Sequence, residues 1–216
     1  KVINKFVEKL ADIPQYAKAE IKRNLEAATL KLTSYDWVFD IVPCFFTKED
    51  MFGRTYYIIP DGKGSWKKTD PRIDRDRLTE LNTKHNGNIL KVIRTIKYWN
   101  KRPTMPTMGS YLLENMIAEY YASKQTAASE FVHIELVGVF YDLYSRVYNN
   151  VNDPKGIQGN LNLLTIEEKQ KISKIAYDDY IIAYNARQLE QDKNIKSSIN
   201  KWREIFGDDF PKYTES

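Results

Sequence analysis

One change of pattern, at Thr69-Asp70-Pro71, narrows the fold of this chain more than any other feature. Before it, apolar residues come in short alternating runs; after it, they recur at helical spacing to the end. Asp70 stands where it can cap a helix, with Pro71 in the first turn, where a missing N–H costs nothing. From there the periodicity predicts helices over about 71–84, 88–101, 109–123, 129–149, 165–191 and 195–206. Thr165 and Glu168 have the spacing of a capping box, and Gly207 stands where the last helix should stop. The leading part reads as an amphipathic helix to about Asp12 and a second helix around Tyr16 to Leu25. Strands follow over Ala28 to Thr33, Trp37 to Phe46 and Tyr56 to Ile59. Strands first and helices after imply an α+β fold, a small antiparallel or mixed sheet packed on a larger helical portion. The segment Asn149 to Gly156 reads as an exposed loop joining two long helices.

Composition sets the class of protein. The 216 residues, 42% hydrophobic and 13% aromatic, suffice for packed cores. The net charge of +4, from 33 basic and 29 acidic residues, permits an anionic ligand such as a nucleotide without demanding a nucleic-acid surface. A single cysteine, Cys44, rules out an internal disulfide and any Cys-rich zinc site, which fits a reducing compartment, with cytoplasm as the default. No apolar run approaches the roughly 18 residues of a membrane span. The chain begins with Lys1 and not Met, so a part upstream is expected to be missing from it.

Three positions carry the chemistry. Asp40 sits in the middle of Trp37-Val38-Phe39-Asp40-Ile41-Val42-Pro43, an otherwise apolar strand that Pro43 confines to an edge or an end. A buried carboxylate needs a cation, an Arg or backbone N–H groups, and a metal ion is one candidate. In the helix around Ile89 to Asn100, Ile89, Val92, Ile93, Ile96 and Trp99 form an apolar arc at about 100° per residue. Lys97 falls on the flank of that arc, where an ammonium either snorkels to the boundary or reaches a fixed anion. Ser110 opens the next helix, whose free N–H groups and partial positive charge welcome phosphate; the alternative is a simple cap by Ser110 or Thr107.

Taken in order, Asp40-Ile41-Val42-Pro43, Ile59-Pro60-Asp61, Trp66 with Thr69-Asp70-Pro71, Asn82, Ile93 through Asn100, and Ser110-Tyr111-Leu112-Leu113-Glu114 resemble the bacterial relatives of cyclic GMP-AMP synthase. These are the cGAS/DncV-like nucleotidyltransferases, which are also related to oligoadenylate synthases. The closing Ile199 to Gly207 with Phe210-Pro211 is similar to their C-terminal helix and tail. The resemblance implies a polymerase-β-like core, of which residues 1–70 would be the remainder, followed by a helical lobe over 71–216. It implies synthesis of a cyclic oligonucleotide second messenger from nucleoside triphosphates such as ATP or GTP, with release of pyrophosphate, in anti-phage signalling. It also leaves room for a regulatory protein partner. Asp40 would be the third metal-binding carboxylate and a catalytic residue, Lys97 and Ser110 would hold the donor triphosphate, and Tyr111 would lie against a base. The implied cofactor is Mg²⁺, with Mn²⁺ as a substitute.

Family members also carry a Gly-Ser turn and a pair of aspartates before the third, and nothing ahead of Asp40 supplies them. One aspartate does not hold two metals. Two further readings follow: a non-catalytic nucleotide-binding or scaffold fragment, and a linear oligoadenylate-type synthase. Gly64-Ser65 with Asp74-Arg75-Asp76 copies the missing motif only superficially, because it follows Asp40 and runs into a helix; Asp74 and Asp76 suit a solvated first helical turn. His85, His133 and Cys44 lack partners at ligand spacing and read as structural, Cys44 as a packed thiol. Asp178 and Asp179 point two ways around a helix and make no site alone.

Overall fold

The computed structural model describes residues 2–214. The chain divides into two compact units, Lys1–Arg72 and Ile73–Ser216. The first holds helix α1 (Val2–Ala11), a single 3-10 turn (Pro14–Tyr16) and six strands. Strands β1 (Glu20–Asn24), β2 (Ala27–Lys31) and β3 (Val38–Ile41) form one antiparallel sheet in that order. A second antiparallel sheet is built from β4 (Phe45–Phe46), β5 (Tyr57–Pro60) and β6 (Trp66–Thr69). Ile3 and Leu10 of α1 and Ala27, Ala28 and Leu30 of β2 are the buried apolar residues that hold the first sheet to the helix.

Two sequence expectations are corrected here, and one strand was not expected. The helix expected around Tyr16 to Leu25 is strand β1, because its residues pair with β2 across a two-residue turn, Asn24 opposite Ala27. That turn puts Leu25 at φ 48°, rare for a leucine. Gly62 backs against it: a Cβ there would lie 2.9 Å from the Leu25 carbonyl carbon, and the Gly62 oxygen accepts Arg23 Nη2 at 2.7 Å. The single strand expected from Trp37 to Phe46 is broken at Pro43 into β3 and β4, which belong to different sheets. Strand β6 carried no apolar alternation because Trp66, Lys67 and Lys68 are all exposed.

The helical unit contains most of α2 (Pro71–Lys84), with α3 (Ile89–Trp99), α4 (Ser110–Ser123), α5 (Val132–Arg146), α6 (Ile166–Gln191) and α7 (Ile195–Phe206). Asp70 caps α2 as expected, its Oδ1 accepting the Arg72 N–H at 3.1 Å. Thr165 and Glu168 complete a reciprocal capping box on α6, and Gly207, at φ 75°, ends α7. The core is continuous through Trp99, Met116, Tyr121, Phe140, Ile172 and Trp202. No helix among the described residues is long and apolar enough to cross a membrane.

His85 is fully buried and satisfied: Nε2 donates to the Tyr121 carbonyl at 3.1 Å and Nδ1 accepts the Ala128 N–H at 3.1 Å. A neutral imidazole fits this pair of contacts; an imidazolium would break the second. Burial holds its pKa below the ordinary 6.5, opposed by the Tyr121 carbonyl. The unfolded chain therefore binds the proton more readily, so the stability His85 contributes is complete above pH 6.5 and is lost as pH falls below it. Urea midpoints measured from pH 8 down to pH 5 are expected to fall, and His85→Gln should remove that part of the slope.

Candidate functional site

Asp40 lies on β3, opposite Thr29 of β2, and its Oδ1 accepts the Thr29 hydroxyl at 2.7 Å. The expectation of a buried carboxylate is corrected: Asp40 is exposed, and its neighbours Val38 and Phe39 are 48% and 41% exposed. β3 is an edge strand of a three-stranded sheet, so the desolvation cost that seemed to demand a cation does not arise within this unit. Cys44, expected as a packed thiol, is exposed between β3 and β4.

Lys97, Ser110 and Tyr111 belong to the helical unit, and the structure gathers them on α3 and α4. Lys97, in the last turn of α3, reaches a fixed anion, as one of its two readings held: Nζ donates to Glu114 Oε2 at 2.5 Å. Glu114 is one turn along α4 from Ser110, so the ion pair and the Ser110 hydroxyl share a face of that helix. Ser110 is the first residue of α4 and is exposed, and no side-chain cap occupies the helix N-terminus at Gly109. An ammonium has three donors, and Glu114 takes one. The face therefore offers a pre-aimed cation, a hydroxyl and free helix N–H groups, the equipment that binds phosphate.

Tyr111 sits in a denser network than the sequence indicated. Its hydroxyl lies 2.8 Å from Asp74 Oδ1 and 2.8 Å from Asp153 Oδ1. A phenol has one proton, so it serves one carboxylate at a time, and Lys155 supplies the compensating charge. Lys155 Nζ donates to the Tyr111 oxygen and to Asp74 Oδ2, the latter at 2.8 Å, and lies 4.0 Å from the centre of the Tyr111 ring. Burial and the two carboxylates push the Tyr111 hydroxyl well above the ordinary tyrosine pKa, so it stays protonated. Burial alone would raise Asp153, but hydrogen bonds from Tyr111 and from the N–H groups of Gln158, Lys155 and Ile157 outweigh it and hold the carboxyl low. Asp74 is thus no solvated helical acid, and the loop expected to be exposed buries Val151 and Asp153. Asp76, by contrast, is exposed beside Arg75.

Asp153, Lys155 and Glu114 were not singled out from the sequence. Glu114 could have been, from its place one turn after Ser110. The other two sit in a polar loop whose folding depends on Asp153 accepting three backbone N–H groups, which no periodicity signals. Gly64-Ser65 forms the turn between β5 and β6, where Asp61 Oδ1 accepts the N–H of Lys63 and of Ser65. A separate cavity of about 680 Å³ is lined by Arg94, Phe131, Trp202 and Phe210, and does not include Lys97, Ser110 or Tyr111.

The donor set does not fit the implied pair of metal ions. Among the described residues no group of three or more His, Cys, Asp or Glu side chains is placed to hold a metal, and Asp40 brings a single carboxylate already bonded to Thr29.

No family model matches the chain. A probable cyclic nucleotide synthase of Bacillus cereus strain VD146 is 47% identical over 218 residues, covering 100% of this chain and 64% of that protein. Over its whole length the chain is similar to this cyclic nucleotide synthase. Solved structures share its fold at low identity. CdnC of E. coli MS115-1, in complex with a HORMA-deltaN protein, superposes at a TM-score of 0.71 with 16% identity, over 97% of this chain and 71% of CdnC. GTP-bound DncV of Vibrio cholerae gives 0.70 with 14% identity, over 92% of this chain and 55% of DncV. The α+β architecture is therefore the one the sequence implied, and the chain spans 64% of the length of its Bacillus relative.

Proposed function

We propose that this chain belongs to an enzyme that joins nucleoside triphosphates into a cyclic oligonucleotide and releases pyrophosphate, in bacterial anti-phage signalling. The observation that carries the reading is the ion pair of Lys97 with Glu114, one turn from the exposed, uncapped start of α4 at Ser110. Lys97, oriented by Glu114, and Ser110 hold the phosphates of the donor, and Tyr111, fixed through its hydroxyl, offers its ring to a base. A ribose hydroxyl of the acceptor attacks the α-phosphorus; the new P–O bond forms as the bond to the bridging oxygen breaks, and pyrophosphate leaves with that electron pair. Asp40 is assigned the hydroxyl proton. A regulatory protein partner is part of the proposal, supported by the likeness to CdnC, which was solved with a HORMA protein.

The test is incubation of the full-length protein with labelled ATP and the other triphosphates. A phosphatase-resistant product is expected, absent from Asp40→Ala and Lys97→Ala. A product wholly sensitive to phosphatase would mean linear synthesis instead. The lone carboxylate favours a second reading for these 216 residues alone, nucleotide binding without turnover. Calorimetry with ATP and Mg²⁺ separates the two: weak binding without synthesis supports the second reading, and robust synthesis eliminates it.

A further inference from the structure

The outer face of the α5–α6 pair carries a ladder of tyrosines that its own unit leaves uncovered. Tyr141 and Tyr144 of α5 meet Tyr180 and Tyr177 of α6, each pair 5.0 Å apart between ring centres, and Tyr184 continues the ladder 6.3 Å from Tyr180. α6 already buries one stripe, Ile172, Ala176, Ala183 and Ala186, in the core. Its solvent side carries a second stripe at coiled-coil spacing: Lys174, Tyr177, Ile181, Tyr184 and Gln188, all exposed. A helix apolar on two sides needs a second partner.

We infer that this face is a self-association surface, covered by the same face of a second copy of the chain. The second stripe is nearly symmetric about Ile181: tyrosines stand four residues before it and three after, and polar ends stand seven residues to either side. An antiparallel copy of α6 therefore sets Ile181 against Ile181, Tyr177 against Tyr184 and Lys174 against Gln188, which is what a two-fold interface requires. Charge agrees, because Lys174 is neutralised by Asp178 at 2.5 Å and Arg146 by Asp142, so like charges do not meet across the axis. Four tyrosines of the ladder, Tyr141, Tyr144, Tyr177 and Tyr184, are between 39% and 55% exposed. At about 200 Å² per aromatic side chain they leave on the order of 370 Å² open. That is under half of the ~800 Å² each partner gives to a standard interface, so the dimer is weak and reversible.

Analytical ultracentrifugation of the protein from about 1 to 200 µM, a range spanning micromolar dissociation constants, should show monomer converting to dimer. Ile181→Glu, which sets two carboxylates together on the axis, should stay monomeric with an unchanged circular dichroism spectrum. In a Cys44→Ser background, Ile181→Cys should form a disulfide-linked dimer on mild oxidation, and Ile195→Cys, equally exposed on α7, should not. A monomer throughout, dimerisation by Ile181→Glu, or equal linkage at Ile195→Cys overturns the inference.

Discussion

Lys97→Met is expected to lower synthesis of the cyclic product by about 100-fold or more, the scale seen when a single preorganised donor to a reacting anion is removed. The methionine keeps the apolar stem that flanks the α3 core and deletes only the charge. The lost pair with Glu114 is partly exposed, and pairs of that kind contribute about 1 kcal/mol or less, so the melting temperature should move little. Lys97→Arg restores the cation but not the compact ammonium geometry, and partial recovery is expected. Steady-state kinetics with thermal melts on the same samples check this. Activity within twofold of the parent would remove Lys97 from the site.

Asp179→Ala should produce the largest loss of stability, about 3–5 kcal/mol in urea denaturation, the range for breaking a buried ion pair from one side. The Asp179 side chain is 6% exposed, and its Oδ2 accepts Trp99 Nε1–H at 2.6 Å and Arg102 Nη1–H at 2.9 Å. Burial raises its carboxyl, against the pull of Trp99 and Arg102. Without it the buried indole N–H is orphaned and Arg102 loses its carboxylate partner, keeping the Ile205 carbonyl and the Trp99 ring face, which loosens the junction of α3, α6 and α7. Asp179→Asn retains an acceptor for Trp99 and is expected to lose less than alanine does. A change under about 1 kcal/mol for alanine would place the pair among exposed ones.

Helical periodicity was legible because the 73–216 unit builds one core from long amphipathic segments: Ile89, Val92, Ile93, Ile96 and Trp99 all face inward as their spacing implied. The split of Asp178 and Asp179 also followed from spacing, Asp178 pairing with Lys174 in solvent and Asp179 turning into the core. The small sheets were less legible. Glu20 to Asn24 has no local strand signal and is a strand only because β2 lies beside it. For the site, Lys97 and Ser110 stood out because each sits at a helix position with a physical meaning. Asp40 stood out on a burial argument that the open edge of β3 removes. Asp153 and Lys155 were invisible because their roles come from a loop folded by its own backbone hydrogen bonds.

The most direct measurement is a structure of the protein bound to a non-hydrolysable ATP or GTP analogue. Phosphate oxygens are expected within hydrogen-bond distance of both Lys97 Nζ and Ser110 Oγ at the first turn of α4, with a nucleotide base against the Tyr111 ring. A triphosphate seated elsewhere, with Lys97 still bonded to Glu114 alone, would contradict the assignment of this face as the donor site.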